Sequence, residues 1–452
     1  METKQFYILT TIFCGIMITS NAQEWSPVGD GIEDPVNTFT EYNGNLFAAS
    51  SGIFEWNGSN WVGMNSGLFS FSAGNLNALC VSNGNNLYVG GENFFVLCPD
   101  NDLYTNASRF NGSQWTTVGN GLGNDGLGMN NTISAMASFH GILYAGGNFS
   151  TAGGDPLRSY DREDNLASYI ANFRGNSCCW DSVGGGMNDV IRELVPDTIR
   201  KLLYAAGYFT VAGGVSANHI AQWNESSWSA LGSGTNGKIT ALCIHNGDVY
   251  VGGLFSNAGG IAANNVAKWN GSSWSALGSG LNGQIYDLAS YNGALYAGGE
   301  NFTLGSDIHH IAKWDGKNWS ALGSGVDDSV SKLFVFNDAL YVGGSFLNAG
   351  GSPANHVAKW KSPPTNLEEC SINNALSIQP NPAKYVFSLF MDKNSNTEVT
   401  MNIYNIMGAL FKTEALKQNQ QEINIGGLAN GIYLVECKSI DWNAKQKLII
   451  RR

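Results

Sequence analysis

Charged side chains are scarce in this sequence, since Asp, Glu, Lys and Arg make up only 13% of its 452 residues. A helical protein of this size would need more Ala, Glu and Lys than the chain provides, so a helical fold is disfavoured. Beyond the N-terminus, no apolar run approaches the roughly 18 residues that a membrane helix requires. The sequence therefore predicts neither a helical bundle nor a membrane span.

Motifs of common catalytic and metal centres are also lacking. The chain has no G-x-S-x-G nucleophile elbow, no HExxH pair and no glycine-rich phosphate loop. No group of cysteines and histidines has the spacing of a zinc site. We therefore predict no catalytic residue, no cofactor-binding residue, no metal-binding residue and no cofactor. Whether the Asp-rich loops at 100–102 and 155–164 bind calcium stays open.

Basic residues are too few for a nucleic-acid partner. Residues 23–360 carry 13 basic and 27 acidic side chains, whereas residues 376–452 carry 9 basic and 6 acidic ones. Phosphate contacts need Lys and Arg, so an acidic first region argues against binding to nucleic acid or to an anionic membrane. A net negative charge also keeps a protein soluble, and this accounts for the acidity.

What the chain does have is glycine, 57 residues of it, arranged in a repeat. One copy, residues 249–280, reads VYVGGLFSNAGGIAANNVAKWNGSSWSALGSG. The Gly252–Gly253 pair is predicted to end a strand, because glycine packs no side chain and relaxes φ. Asn270–Gly271 is predicted to be a turn. With the preceding segment, the unit gives four short strands, at Ile239–His245, Val249–Val251, Val266–Trp269 and Trp274–Leu277.

The repeat recurs seven times. An aliphatic–aromatic pair opens its second strand at Leu46–Phe47, Leu87–Tyr88, Leu143–Tyr144, Leu203–Tyr204, Val249–Tyr250, Leu295–Tyr296 and Leu340–Tyr341. A period of roughly 40–50 residues with four strands per repeat is typical of a β-propeller blade. The longer third and fourth units are expected to contain loop insertions. The sequence predicts an all-β fold of seven four-stranded blades in residues 23–360.

The phase of the repeat predicts how the ring closes. A fourth strand at Trp25 has no third strand before it, and a third strand ending at Trp360 has no fourth strand after it. The N-terminal strand is therefore expected to complete the last blade, which leaves no open seam. The order of strand, Asn-Gly turn, Gly-Gly doublet, aromatic strand and Trp strand resembles the kelch-type repeat. The usual Tyr-Asp before its final strand stands here as Trp-Asn or Trp-Asp.

The two ends of the chain differ from the repeat. Residues 1–22 combine a basic Lys4, an apolar core and a small-residue cleavage site, and are predicted to be a signal peptide. Residues 361–375 are predicted to be a linker. Residues 376–452 show about seven alternating strands, which suits a small immunoglobulin-like β-sandwich. The mature chain keeps an odd number of cysteines, so at least one thiol is unpaired.

The C-terminal segment resembles the type A sorting domain of the type IX secretion system of Bacteroidetes. The residues that carry the resemblance are Pro380, Asn381, Pro382, Tyr404, Asn405, Gly408, Leu428, Asn430, Gly431 and Tyr433. The resemblance implies recognition by the type IX machinery and export across the outer membrane. The protein is then secreted or held on the outer cell surface.

Histidine is a common metal ligand, but His219, His310 and His356 occupy the same position in three different repeats. Equivalent positions lie on different blades, so these residues are interpreted as polar strand openers. His140 and His245 lie at turns and are expected to be solvated. Cys80 and Cys243 share a place in the first strand of their repeats and are expected to be small buried residues.

The sequence favours a secreted or surface-displayed binding or adhesion protein, with an extracellular glycan or protein as its ligand. The alternative is a secreted propeller enzyme, a carbohydrate-active hydrolase, lyase or oxidase. Its site would lie in the irregular blades 2–4, because repeats 5–7 offer no cluster of irregular charged residues. The candidates there are Arg158, Asp161, Arg162, Asp164, Arg192 and Glu193. A structural protein of an extracellular matrix is a third interpretation.

Overall fold

The computed structural model describes residues 24–64, 68–70, 75–82, 85–98, 101–118, 132–150, 168–175, 180–304, 307–361, 376–391, 399–405, 410–416, 420–438 and 443–452. Every regular secondary-structure element in these ranges is a β-strand. The chain divides into two compact units, Met1–Pro363 and Pro364–Arg452. The all-β prediction is confirmed for the described residues.

Within its described residues, the first unit consists of antiparallel sheets that follow one another along the chain. After β1 (Glu24–Pro27), sheet 1 contains β2 (Thr38–Tyr42), β3 (Asn45–Ala49), β4 (Ile53–Trp56) and β5 (Trp61–Gly63). Sheet 2 contains β6 (Leu68–Ser70), β7 (Leu76–Ser82), β8 (Asn86–Cys98), β9 (Asn101–Phe110) and β10 (Trp115–Thr117). Sheet 3 contains β11 (Thr132–Phe139), β12 (Ile142–Asn148), β13 (Ile170–Phe173) and β14 (Asp181–Ser182).

The next two sheets have the same order and carry an additional two-stranded hairpin between their second and third strands. Sheet 4 contains β15 (Ile191–Asp197), β16 (Leu202–Gly207), the hairpin β17 (Val211–Ala212) and β18 (Val215–Ser216), β19 (Ile220–Trp223) and β20 (Trp228–Ala230). Sheet 5 contains β21 (Lys238–His245), β22 (Asp248–Leu254), the hairpin β23 (Asn257–Ala258) and β24 (Ile261–Ala262), β25 (Val266–Trp269) and β26 (Trp274–Ala276).

Of the last two sheets of the unit, only the seventh includes the strand that the N-terminus supplies. Sheet 6 contains β27 (Gln284–Tyr291), β28 (Ala294–Leu304), β29 (Asp307–Trp314) and β30 (Trp319–Ala321). Sheet 7 contains β31 (Val330–Phe336), β32 (Ala339–Gly344), the hairpin β33 (Asn348–Ala349) and β34 (Ser352–Pro353), and β35 (Val357–Lys361), and its fourth strand is β1. The predicted four-stranded antiparallel units are thereby confirmed, with one extra strand in sheet 2.

Strand β1 pairs with β35, as the phase of the repeat predicts. Trp25 lies opposite Trp360 in the antiparallel register. The two indole rings are 5.2 Å apart between centroids. The side chain of Asn355 adds a hydrogen bond from Nδ2 to the carbonyl of Asp30, at 2.7 Å. The first described strand of the chain is therefore held by the last strand of the first unit.

The glycine doublet lies at the end of its strand, as predicted, since β22 ends at Leu254 directly after it. The predicted reason is wrong, because neither Gly252 nor Gly253 has a positive φ. A Cβ on Gly252 would stand 2.5 Å from the Ile285 side chain of the next sheet. A Cβ on Gly253 would overlap the carbonyl oxygen of Lys238 on the neighbouring strand. The doublet is needed because sheets and strands approach closely there.

Tryptophans connect each sheet of the first unit to the sheet before it. We call β5, β10, β14, β20, β26, β30 and β1 the outermost strands of sheets 1–7. The tryptophan at or next to the start of each outermost strand donates its Nε1–H to a carbonyl just after the outermost strand of the preceding sheet, over 2.8–3.2 Å. The pairs are Trp61–Val28, Trp115–Met64, Trp180–Val118, Trp228–Val183, Trp274–Leu231, Trp319–Leu277 and Trp25–Leu322. The first strands of consecutive sheets also contact one another, and β31 contacts β2.

The second unit contains two sheets within its described residues. Its strands are β36 (Leu376–Gln379), β37 (Val386–Met391), β38 (Val399–Asn405), β39 (Leu410–Leu416), β40 (Gln420–Asn424), β41 (Gly431–Lys438) and β42 (Asn443–Ile450). The orders are β36–β37–β40 and β39–β38–β41–β42. Phe387 and Ile423 of the first sheet share one buried core with Met401, Val435 and Leu448 of the second. This arrangement agrees with the predicted packing of two sheets face to face.

Candidate functional site

We call β2, β7, β11, β15, β21, β27 and β31 the innermost strands of sheets 1–7. Those of sheets 2–7 each carry a β-bulge at the same place. The register shifts between Leu76/Ala78, Ile133/Ala135, Ile191/Glu193, Ile239/Ala241, Ile285/Asp287 and Val330/Lys332. A bulge inserts one residue without a ladder partner and re-aims its side chain. The repeat thus produces a recurrent, unpaired position on the innermost strands.

A cavity of about 680 Å³ is lined by residues from all the innermost strands of the first unit. The bulge residue of sheets 2–7 lines it, together with the corresponding residue directly before β2. These seven side chains are polar, and we call them the polar ring: Asn37, Asn77, Ser134, Arg192, Thr240, Tyr286 and Ser331. The cavity is therefore surrounded by hydrogen-bonding groups of differing chemistry.

The next residue along each innermost strand is small in four sheets and charged in three. The small ones are Thr38, Ala78, Ala135 and Ala241. Lys332 places Nζ 3.3 Å from Oδ1 of Asp287 and 3.4 Å from Oε2 of Glu193. Asp287 also accepts the backbone N–H of Leu333 at 2.7 Å. Sheets 4, 6 and 7 thus contribute one charge each to a cluster, which we call the carboxylate–lysine cluster.

Burial controls protonation in this cluster. It raises the pKa of Glu193 to about 7, with Lys332 opposing the rise and Asp287 adding to it. Burial also raises the pKa of Asp287 against the opposing effect of Lys332. For Lys332, burial lowers the pKa but the two facing carboxylates outweigh it, so the net change is upward. The lysine is therefore charged at neutral pH, and Glu193 binds a proton more readily than an exposed glutamate.

Arg192 and Tyr286 are the two large members of the polar ring. The Tyr286 hydroxyl donates to Oε2 of Glu300 at 2.7 Å. Burial and this bond raise the pKa of Tyr286 to about 12. The charge of Arg192 lowers the pKa of both Tyr286 and Glu193, so the guanidinium lies within electrostatic range of both groups. Arg192 is exposed, and among the described residues it forms no salt bridge.

The sequence-based enzyme candidates are brought together only in part. Arg192 and Glu193 line the cavity. Arg158, Asp161, Arg162 and Asp164 lie outside the described residues. Asp287 and Lys332 were missed, because repeats 5–7 were expected to offer no charged cluster, and that expectation is wrong.

A signal for the missed residues exists in the repeat. The bulge segments read Ile239-Thr-Ala-Leu, Ile285-Tyr-Asp-Leu and Val330-Ser-Lys-Leu. Aligned with Ile191-Arg-Glu-Leu, these segments share one column, which holds Glu, Ala, Asp and Lys in chain order. A charge in a column that is otherwise alanine indicates a special environment, because alanine there marks a buried position.

The three histidines at the shared repeat position lie on different sheets, as the repeat predicts. His219 and His356 precede β19 and β35, and His310 lies in β29. His140 is exposed and contacts Glu225. His245 is the correction, since it is only 6% exposed and its Nδ1 lies 2.7 Å from Oγ of Ser290. Among the described residues, no group of three or more His, Cys, Asp and Glu side chains has the geometry of a metal site.

Cysteine side chains in the described regions act as apolar filling. Cys80, Cys243 and Cys437 are free thiols. Burial raises the pKa of all three to about 12, so they stay protonated at neutral pH. The adjacent Cys178 and Cys179, and Cys370, lie outside the described residues.

In the second unit, the sorting-motif residues meet the C-terminal strand. Oδ1 of Asn381 accepts the N–H of Ile449 at 2.8 Å. Oδ1 of Asn430 accepts the N–H of Arg452 at 3.0 Å. The Arg452 guanidinium donates to the carbonyl of Ile425 at 3.0 Å. Two asparagines of separate motifs therefore hold the backbone of the last residues.

The other motif residues in the described part of the second unit flank these asparagines or lie on β38 and β41. The Tyr433 hydroxyl donates to the carbonyl of Ala429 at 3.1 Å, and Leu428 is buried. The Tyr404 hydroxyl donates to Oε2 of Glu436 at 3.1 Å. Asn405 lies opposite Tyr433 in the strand register. Pro380, Pro382 and Gly431 are exposed, and Gly408 lies outside the described residues.

Comparison with known families identifies the second unit. Residues 377–451 match the family described as the secretion system C-terminal sorting domain. The predicted C-terminal sorting domain of the type IX system is thereby confirmed. It indicates export to the cell surface or into the medium. Among the described residues, no helix is long and apolar enough to span a membrane.

Known proteins say little about the rest of the chain. No curated protein matches it. One solved structure is the extracellular domain of BT4673 from B. thetaiotaomicron, described as belonging to a one-component system. It is 12% identical to this chain, with a TM-score of 0.46, and the match covers 95% of this chain and 59% of that structure's chain. A second structure of that domain, described as part of a hybrid two-component system, is 11% identical with a TM-score of 0.21, covering 92% and 75%. Dimeric latent PorU from Porphyromonas gingivalis is 10% identical with a TM-score of 0.14, covering 68% and 31%. These similarities are too low to assign a fold or a function, and the chain spans about three fifths of the first structure's length.

Proposed function

We propose that residues 23–360 form a kelch-like seven-bladed β-propeller that acts as an extracellular binding or adhesion protein. The successive four-stranded sheets support this fold, as does the contact of β31 with β2. Each tryptophan Nε1 bond runs to the preceding sheet, and Trp25 returns the series to Leu322. In this proposal, residues 1–22 are a signal peptide, residues 361–375 a linker and residues 376–452 the sorting domain.

The cavity is the observation that carries a binding function. Its volume of about 680 Å³ lies within the range of roughly 300–1,000 Å³ that is usual for small-molecule sites. The polar ring gives it several hydrogen-bonding groups that converge from different sheets. Sites that orient a ligand use a small number of such convergent polar groups. The ligand is an extracellular glycan or a protein segment that enters the cavity.

A binding screen with two matched variants tests this proposal. The full chain is applied to arrays of glycans and extracellular matrix proteins. Ser134→Trp fills the cavity, whereas Ser229→Trp adds the same side chain on an exposed position of β20. We expect a ligand that Ser229→Trp retains and Ser134→Trp loses, with both variants folded by circular dichroism. A ligand bound equally by both variants would contradict binding in the cavity, and the absence of any ligand would contradict the binding function.

A second candidate is a carbohydrate-active hydrolase, lyase or oxidase. The observation that favours it is Glu193, a carboxyl group with a pKa raised to about 7 beside a cavity. A glycosidase needs a second carboxyl group with access to the substrate. Asp287 is only 2% exposed and faces Lys332, so it is not available for that role. Binding is therefore the first candidate, and release of product from oligosaccharides by the purified chain would reverse the order.

A further inference from the structure

We propose that the cavity binds a short acidic oligosaccharide, with Arg192 pairing with a carboxylate of the sugar. The inference rests on the proposed binding function and names the class of ligand. It is carried by three properties of the lining: its hydrogen-bonding groups, its charge and its size.

The uncharged members of the polar ring suit a polyhydroxylated ligand. Asn37 and Asn77 offer amide donors and acceptors, and Ser134, Thr240 and Ser331 offer hydroxyl groups. Each sugar hydroxyl both donates and accepts, so it pairs with either kind of group. Asn37 and Thr240 already donate to the carbonyls of Leu76 and Ile285. An apolar ligand would displace water from the polar groups of Asn77, Ser134 and Ser331 and offer them no hydrogen bond, which is unfavourable. The lining therefore selects a ligand rich in hydroxyl groups.

The charge of the lining selects an acidic sugar. Lys332 is already compensated by Asp287 and Glu193. Arg192 has no salt bridge among the described residues, so it is the one uncompensated cation of the polar ring. A guanidinium recognises a carboxylate through two parallel hydrogen bonds. Tyr286 lines the cavity too, and its bond to Glu300 fixes the position of its ring.

A proton on Glu193 couples ligand binding to pH. The charged and titratable groups near Glu193 are Lys332 from β31, Asp287 and Tyr286 from β27, Cys243 from β21 and its neighbour Arg192. Glu300 also lies near, since it accepts the hydroxyl of Tyr286. When Glu193 is protonated, the cavity carries one negative charge fewer beside Arg192 than when Glu193 is ionised, so it attracts an anion more strongly. The affinity for an acidic sugar should therefore fall as the pH rises through about 7.

Calorimetry on the full chain tests the inference with trigalacturonic acid, a neutral galactose trimer and inorganic phosphate as probes. We expect the acidic trimer to bind at least tenfold more tightly than the neutral trimer, and phosphate to bind weakly. Arg192→Gln should lose at least tenfold in affinity for the acidic trimer at an unchanged melting temperature. Arg174→Gln is the matched control, because its side chain is 63% exposed and it does not line the cavity. Binding at pH 6 should be at least threefold tighter than at pH 8, and Glu193→Gln should remove that difference.

The outcomes separate this inference from the proposed function. Equal binding of the two trimers would overturn the role of Arg192 while leaving a saccharide-binding cavity. Binding of phosphate as tight as that of the acidic trimer would overturn the saccharide class. If no oligosaccharide binds but the array yields a protein ligand that Ser134→Trp loses, the inference fails and the binding function stands.

Discussion

The outermost and innermost strands of the first unit differ in whether equivalent positions keep the same residue from sheet to sheet. Every outermost strand has, at or next to its start, a tryptophan that donates to the preceding sheet. The bulge position of the innermost strands instead holds Asn, Asn, Ser, Arg, Thr, Tyr and Ser in succession. A uniform residue indicates a contact that every sheet must make. A position that varies within the same backbone geometry indicates a surface that the fold leaves free for a ligand.

The largest expected effect comes from removing the strand that joins the two ends of the repeat. A chain that begins at Asn37 lacks β1, the Trp25–Leu322 bond and the buried side chains Val28 and Ile32. Truncation of a fully buried aromatic side chain costs about 3–5 kcal/mol. Trp25 is half-buried, so its loss costs part of this amount, and the loss of Val28 and Ile32 adds to it. We expect the first unit to lose its cooperative unfolding transition, measured by circular dichroism during heating.

The control is a truncation at the other end. Removing residues 366–452 eliminates the second unit but leaves every sheet of the first unit complete. The melting temperature of the first unit should stay the same, and the protein should remain in the periplasm. A chain starting at Asn37 that melts like the parent would contradict the closing role of β1.

The second largest effect concerns the carboxylate–lysine cluster. Lys332→Met leaves Asp287 and Glu193 without their cation, and breaking a buried pair in this way costs about 3–5 kcal/mol. Chemical denaturation at pH 8 measures the free energy of unfolding. Lys317→Met, at an exposed turn position, should change it by less than about 0.5 kcal/mol. Equal effects of the two variants would show that the cluster is not a coupled unit.

A smaller effect, with a defined pH window, is expected for Glu193. Its pKa is raised from 4.5 to about 7 in the folded chain, so the folded state keeps a proton that the unfolded state releases. Stability is therefore fully present below pH 4.5 and is lost as the pH rises through about 7. Glu193→Gln should be about 1–3 kcal/mol more stable than the parent at pH 8, and nearly equal to it at pH 4.5. A constant difference between the two proteins across this range would contradict the assigned ionisation.

Much of the fold could be predicted from the outer positions. The recurring tryptophans and their phase predicted the strand order and the pairing of Trp25 with Trp360. The role of the glycine doublet could not be predicted, because it depends on the approach of Ile285 from the next sheet and of the Lys238 carbonyl from the bulged strand. Contacts between sheets involve residues far apart in sequence, which a local pattern does not show.

The candidate site was predicted less completely. Arg192 and Glu193 stood out because their repeat is irregular. Asp287 and Lys332 lie in regular repeats, where a charge in an alternating strand is ordinarily assigned to solvent. Their burial follows from the bulge, which turns the strand inward at one residue. In the second unit, the family resemblance named Asn381 and Asn430, but their shared contact with the C-terminal strand required the structure.

The smallest expected effect tests whether the varied polar ring and the uniform tryptophan positions differ in their contribution to stability. Ser134 belongs to the polar ring and is half-buried at the bulge of β11. If the ring serves a ligand, Ser134→Ala should change the free energy of unfolding by less than about 0.5 kcal/mol, as substitutions away from packed contacts do. Trp228→Phe, which keeps an aromatic ring but removes the donor to Val183, should cost about 1–3 kcal/mol because a buried carbonyl loses its partner. Denaturant titration of both variants gives the comparison. If Ser134→Ala destabilises the chain as much as Trp228→Phe does, the varied position is also structural, and variation among the repeats no longer identifies a binding surface.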